Sequence, residues 1–480
     1  MKQASIPFNS SKHLVDLLCQ VLKLIWFIPA LKGAKLIYSP FPLGIQGKKG
    51  DNVKVGLLTC FLLLCCYTGN GQALRGNAKS MVVTPPLDMK YTLGGYGARM
   101  NKPAEGIHDD IRAKALVISD GQQKFVIVTM DIVGFPPNVR PMVAEKLKGS
   151  GWSLENILLL PSHSHTSLEM LAINDKNAFN IPAVGIYQPE LLDYVVAQLV
   201  QLIQMADKDL IPIKVGTAQI VLDNLNRNRR GDTITDKELT VTRIDATDGK
   251  PLAVLVNWTA HPTIMDEHDM WVSGGWPGYL QRELEEWIGN GVVAMYYNGA
   301  EGDQSVIAQQ GTSHYERAEY YGRLMATKAI EVYRDIEPSK QITFVSKSRK
   351  VALPAKKPHP SFMQTGGAEY QLTEENVQGL LNQLFPSETY ITALKLGELV
   401  IVGAPGEMIA ELGIGIKQEL KKSGVKYPVI GGLANEWISY ILTESEYGQG
   451  GYETSVSFYG PGLGKLIQTE MIQTAKAINK

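Results

Sequence analysis

Seven short apolar runs constrain this 480-residue chain more than any other feature: residues 115–118, 125–130, 157–160, 252–258, 292–297, 399–402 and 429–433. Each is too short for a stable helix. Several are continuous rather than alternating, as expected of strands covered on both faces. Helical patterns fall between them, at 139–148, 190–205, 277–287, 314–330, 410–421 and 463–477. This alternation predicts an α/β fold: a layered sheet core with helices packed on it and catalytic residues at the C-terminal ends of strands. There is no internal repeat and no low-complexity segment. The Pro- and Lys-rich stretch 352–361 reads as a surface excursion or an inter-lobe linker.

Composition narrows the partners. With 44% hydrophobic residues the chain is no disordered tail. A formal net charge of −1 removes the basic balance of a nucleic-acid binder, so no nucleic acid is expected. The balance hides an asymmetry. Residues 1–73 hold eight lysines, no arginine and two aspartates, whereas the rest carries 39 basic and 46 acidic residues. All four cysteines, Cys19, Cys60, Cys65 and Cys66, lie in this leader. The body therefore has no disulfide frame, no thiolate metal site and no cysteine nucleophile.

Within the leader, Lys48, Lys49 and Lys54 precede an apolar run over 55–66, and small residues follow up to Ala73. That order is a secretory signal, with cleavage after Gly71-Gln72-Ala73. The run is shorter than the roughly 20 residues that span a bilayer. A second apolar stretch, 14–31, carries Asp16, Lys23 and Pro29; it reads as a membrane helix or as text upstream of the true start. The expected organisation is a leader over 1–73 and one catalytic domain over 74–480. The expected product is exported: periplasmic, secreted or membrane-attached through the leader.

In open α/β sheets ligands bind where loops leave the carboxyl ends of strands. Here Pro161-Ser162-His163-Ser164-His165-Thr166-Ser167 follows 157–160, and Thr259-Ala260-His261-Pro262-Thr263 follows 252–258. The sequence Asn298-Gly299-Ala300-Glu301-Gly302-Asp303-Gln304-Ser305 follows 292–297. Gly403-Ala404-Pro405-Gly406-Glu407 follows 399–402, and Ala434-Asn435-Glu436-Trp437-Ile438-Ser439-Tyr440 follows 429–433. Nitrogen and oxygen donors without sulfur suit a borderline metal such as zinc, in a catalytic site that keeps one position open. Taken singly, each residue has an ordinary explanation. His261 fits a turn histidine, Glu407 a helix-capping acid, Gly302-Asp303 a plain turn, and Tyr440 core or rim. A His-x-His pair on a strand exit points both rings to one side. The shared position at strand ends is what singles these residues out.

With these motifs in order, the body resembles the catalytic domain of the neutral/alkaline non-lysosomal ceramidase family, from Thr84-Pro85-Pro86 to Gly460-Pro461. The match also includes Leu93-Gly94-Gly95-Tyr96-Gly97, Gly106-Ile107-His108-Asp109 and the segment 126–131. Asn257-Trp258, Thr235-Asp236-Lys237-Glu238, Glu446-Tyr447 and Tyr459 belong to it too. The resemblance implies one zinc ion per chain held by His163, His261, Glu407 and Tyr440. It places His165 beside the reacting amide and Ser305 on a Gly-Asp-x-Ser serine, both as catalytic residues. It also places Arg227, in an Asn-Arg pair, as substrate-binding.

Three departures accompany the resemblance. The chain ends soon after Gly460-Pro461, so the family's C-terminal immunoglobulin-like domain is expected to be absent. Asn228-Arg229-Arg230-Gly231 and Ser273-Gly274-Gly275-Trp276 differ from the family in segments expected to face substrate. The expected function is an exported zinc amidohydrolase cleaving the N-acyl amide of ceramide or a related lipid by metal-activated water. A lipid or other small-molecule amide is the expected partner, with a membrane surface where the substrate is lipid. The alternatives are the same chemistry on a non-lipid amide or ester, a serine hydrolase using Ser305 and His165, and a non-catalytic exported binding protein.

Overall fold

A computed structural model describes residues 73–479. The leader through residue 72, with its cysteines, its signal pattern and the stretch 14–31, lies outside the described residues. No helix among the described residues is long and apolar enough to cross a membrane.

The larger sheet contains β1 (Arg75–Val82), β2 (Arg112–Ser119), β3 (Lys124–Met130), β4 (Ile157–Pro161), β5 (Ile211–Val221), β6 (Glu238–Ala246), β7 (Pro251–Trp258) and β8 (Val293–Asn298). Their spatial order is β8-β7-β6-β5-β1-β2-β3-β4. A second sheet contains β9 (Phe344–Ala352), β10 (Glu388–Leu396), β11 (Leu399–Gly403) and β12 (Tyr427–Gly431), in that order. Three neighbouring pairs are parallel: β3 with β4, β7 with β8, and β11 with β12. The other ladders within these two sheets are antiparallel.

The apolar runs mark the strands of all three parallel pairs, together with β2. β1, β5, β6, β9 and β10 went unmarked, and for β5 and β9 the reason is their exposure. β5 alternates between buried and partly exposed residues. β9 carries Ser346, Lys347, Ser348, Arg349 and Lys350 in a row. Antiparallel strands with one wetter face lack the unbroken apolar signature.

Packing follows the two-residue alternation of the strands. On β3, Phe125 and Ile127 join Leu394 and Ile401 of the second sheet in one buried cluster. Val126 and Val128 turn the other way, onto Val143 of α1 (Val139–Lys146) and Leu199 of α2 (Pro189–Ala206). On β7, Val254 and Val256 meet Leu280 of α3 (Gly275–Ile288) and Met325 of α4 (His314–Arg334). On β11, Val400 and Val402 meet Leu381 of α5 (Glu374–Leu384), Ile416 of α6 (Ala410–Lys422) and Ile467 of α7 (Leu463–Ile478). The result is four layers: helices, sheet, sheet, helices. Each fully buried Leu, Ile or Val contributes about 1.5–3 kcal/mol by leaving water.

The expected helices all occur within a few residues of their predicted ends; α5 was not expected. Its signal is present, since Thr373 caps it and Val377, Leu380, Leu381 and Leu384 share its buried face. The stretch after Ala352 runs without regular structure and mostly partly or fully exposed to Phe362, as a surface excursion does.

Loops from the carboxyl ends of the parallel pairs bond to one another. Gly432 N–H donates to Asn298 O at 2.9 Å, Asn435 N–H to Leu159 O at 2.8 Å, and His261 N–H to Gln304 O at 2.9 Å. Asn257 reaches Tyr297, Asn298 and Ile430 carbonyls at 3.0–3.2 Å, tying both sheets together at this edge.

Candidate metal centre and adjoining cavity

β4 ends at Pro161, and the chain then turns with His163 at φ +67°, a left-handed conformation uncommon for a residue with a side chain. The two rings lie to one side, as expected of the His-x-His pair, and a left-handed turn rather than straight strand carries them there. The turn is braced. Ser164 Oγ and Thr166 Oγ1 donate to Ser273 O at 3.0 and 3.1 Å, and Ser167 Oγ donates to Ser164 O at 2.6 Å. Ser273-Gly274-Gly275-Trp276, expected to face substrate, instead supports the histidines. Gly95 has φ +91° and lies directly against the His165 ring, leaving no room for a Cβ.

Both histidines expected to bind the metal, His163 and His261, are held by their far nitrogens. His163 Nδ1 lies 2.5 Å from Val133 O, and His261 Nδ1 lies 2.7 Å from Glu301 O. A proton on Nδ1 leaves each Nε2 with a free lone pair, as metal-binding imidazoles require. His261 Nε2 is 3.0 Å and His163 Nε2 3.5 Å from Glu407 Oε2, and His165 Nε2 is 3.2 Å from His163 Nε2. Glu407 Oε1 accepts a bond from Trp437 Nε1 at 2.8 Å. A short parallel ladder pairs Glu407 with Tyr440, whose hydroxyl oxygen accepts from Arg229 at 2.9 Å. His163, His261, Glu407 and Tyr440 are all buried. Glu407 is not the cap of α6; Asp303 is, accepting from Ala410 N–H at 2.9 Å.

The electrostatics suit cation binding. Burial, together with the Arg229 charge, lowers the His261 pKa to about 4. Burial and the neighbouring imidazoles push His165 well below the usual histidine range. Both rings are therefore neutral, electron-pair donors at neutral pH. Burial acts to raise the Glu407 pKa, but His163 and His261 outweigh it and hold the carboxyl well below its usual value. Burial and the Glu407 charge raise Tyr440. Two imidazoles, an ionised carboxylate and a phenol oxygen converging without sulfur are the donors of a zinc-type site, so these residues fit the ion.

Ser305 and Arg227 stand elsewhere. They face each other in the short ladder between Asn226–Asn228 and Gln304–Val306, and Ser305 forms a bridge to His261. Among the described residues no hydrogen bond joins Ser305 to His165, and neither Ser305 nor Arg227 lines the cavity beside the centre. Arg227 is exposed. The neighbouring Asn228-Arg229 pair is the one that reaches the donors: Arg229 bonds Tyr440, Gly302 O at 2.9 Å and Glu453 at 2.7 Å. Arg230 extends this network to Glu446 and Glu453 at 2.6 and 2.7 Å. Asn226-Arg227 and Asn228-Arg229 are identical dipeptides in the sequence, and only the fold separates them.

A largely apolar cavity opens onto His163, His165, Glu407 and Tyr440. Its walls include Val133, Met170, Leu171 and Trp437, together with Phe362, Leu372, Phe385 and Phe458 and the α5 residues Leu380, Leu381 and Leu384. Tyr96, Tyr370 and Tyr452 add hydroxyl-bearing rings near the donors. The expectations contained no cavity wall.

The family described as neutral/alkaline non-lysosomal ceramidase, N-terminal, matches residues 76–314 and 355–468. Neutral ceramidase A of Dictyostelium discoideum is 22% identical over 514 aligned positions, covering 81% of this chain and 72% of that protein. Neutral ceramidase of Pseudomonas aeruginosa is 22% identical over 469 positions, covering 80% and 69%. The crystal structure of neutral ceramidase from Pseudomonas aeruginosa superposes with a TM-score of 0.72 at 20% identity, over 85% of this chain and 74% of that one, which shows a common fold.

Proposed function

The chain belongs to the neutral/alkaline non-lysosomal ceramidase family and is an amide hydrolase, and we propose that it cleaves the N-acyl amide of ceramide or a related lipid to fatty acid and sphingoid base at a zinc centre. The observation that carries the lipid reading is the apolar cavity beside the donor set. An acyl chain leaving the scissile carbonyl needs such a wall, and a polar amide does not.

In this reading His163, His261, Glu407 and Tyr440 hold the ion. Bound there, zinc supplies Lewis-acid polarisation of the amide carbonyl and a more acidic water. The protein does the rest. Val133 O and Glu301 O fix the histidine tautomers, and Arg229 and Trp437 fix the phenol and carboxylate oxygens. His165 Nε2 sits beside the donors and is neutral, so it can take the proton of the attacking water and pass it to the leaving nitrogen. The apolar wall excludes bulk water from the reacting carbonyl. That no hydrogen bond joins Ser305 to His165 among the described residues argues against a serine nucleophile.

The test is elemental analysis of protein expressed from Leu74, paired with hydrolysis of a fluorogenic ceramide. One zinc per chain and cleavage abolished by a chelator and restored by zinc are the expected results. Protein that cleaves fully after its metal is stripped overturns the zinc centre; zinc-loaded protein that ignores ceramide overturns the substrate. We also propose export through the leader, and membrane-surface contact with it. Secreted material beginning near Leu74 is the expected outcome of N-terminal sequencing.

A further inference from the structure

Glu301 leaves β8 in the turn Asn298-Gly299-Ala300-Glu301-Gly302-Asp303 and is fully buried. Both of its carboxylate oxygens lack a hydrogen-bond partner among the described residues. Ligand atoms of His163, Glu301 and Glu407 all lie within 4.8 Å of one another. A Cβ on Gly432 would strike Glu301 Oε2, so the carboxylate rests against bare glycine main chain. The same residue holds His261 Nδ1 through its main-chain oxygen.

A buried carboxylate with no partner is costly, and such groups in folded proteins point to an ion or water that completes them. Two carboxylates this close also repel unless something positive lies between them. Packing does not call for a carboxylate here, since an apolar side chain would fill the same space without the desolvation cost. The ligand atoms of a single ion have mutual distances of this size.

We propose that Glu301 is a further ligand of the divalent cation, a second carboxylate beside Glu407, an inference that rests on the metal reading above. Two carboxylates balance the dication's charge where one leaves a net positive centre. They also make the donor set richer in oxygen, which admits manganese or iron(II) as well as zinc.

The experiment compares the unaltered chain with Glu301→Gln, which keeps the shape and removes the charge. Metal-free protein is titrated with zinc against a competing chromophoric chelator, and the visible spectrum of the cobalt(II)-loaded protein is recorded. The expected result is one metal per chain in both, at least tenfold weaker binding by the variant, and altered cobalt band intensities. Equal affinity overturns the assignment. Weaker binding with an unchanged cobalt spectrum also overturns it, because Glu301 would then act through its neighbours. Failure of the unaltered chain to bind any metal overturns the zinc reading and this one together, and so is told apart from the other outcomes. Should the variant not fold, the zinc-loaded crystal structure of the unaltered chain decides: a Glu301 oxygen within about 2.2 Å of the ion supports ligation, and one beyond contact overturns it.

Discussion

The donor set and the cavity wall adjoin, yet they are built in different ways. The donors sit on turns at the ends of strands paired in parallel and covered on both faces. Main-chain atoms hold them: Val133 O and Glu301 O on the histidines, the ladder to Glu407 beneath Tyr440. The wall comes largely from the connection between β9 and β10, through Phe362, Leu372, α5 and Phe385, held by side-chain packing. One region is defined by hydrogen bonds with narrow geometry and the other by apolar contact without direction. Chemistry is therefore expected to tolerate little change at the donors, while substrate range shifts with the wall.

The largest expected effect tests the donor side. His165→Ala lowers kcat by about 10²–10⁴-fold, the usual contribution of a positioned acid–base group, while zinc content stays at one per chain. Turnover and elemental analysis on the same sample check it, and undiminished turnover removes His165 from the reaction. The wall is tested next. Leu384→Trp fills the cavity, so kcat/KM for a long-chain N-acyl substrate falls about 10–100-fold while a two-carbon acyl analogue is cleaved as before. An equal loss on both substrates would mean that the change reached the donors and that the two regions are not separable.

Acid sensitivity sharpens the same comparison in metal-free protein. His261 has a folded pKa of about 4 against roughly 6.5 unfolded. Its contribution is fully present above pH 6.5 and is lost as the pH falls toward 4, because only the unfolded chain takes up the proton there. The size is about 3 kcal/mol. His165 acts in the same direction, and Glu301, whose pKa burial raises, acts in the opposite one. The readout is therefore the difference in unfolding free energy between the chain and its His261→Gln variant, which should lose this slope. The smallest effect is expected at Arg227→Ala, within about 0.5 kcal/mol of the unaltered stability and with turnover nearly unchanged, as for an exposed strand residue. Arg229→Ala, by contrast, should impair turnover severely; a reversed ranking would return the substrate role to Arg227.

Legibility follows the same division. The parallel pairs announced themselves, because a strand covered on both faces must be apolar throughout. β5 and β9 did not, since most of their residues are partly or fully exposed. α5 had its cap at Thr373 and its Val377-Leu380-Leu381-Leu384 stripe, but such a stripe says only that a face is buried and not that it borders a reacting group. Glu301 passed as part of a turn, because its lack of partners is a property of its surroundings and not of its neighbours in sequence. The left-handed backbone at His163 is likewise invisible in the letters.

The sequence by itself determined the donor types, their places after apolar runs, the α/β class and the family, because hydrophobic periodicity and motif order are carried by the chain alone. Only the tertiary structure decided which Asn-Arg pair reaches Tyr440, which acid caps α6, that Ser273–Trp276 braces the histidines, and that an apolar cavity borders them. Those outcomes turn on distances of about 3 Å between residues far apart in the chain, and hydrogen bonding is steep at that scale. Such distances are set by how sheets and loops pack, not by any local propensity.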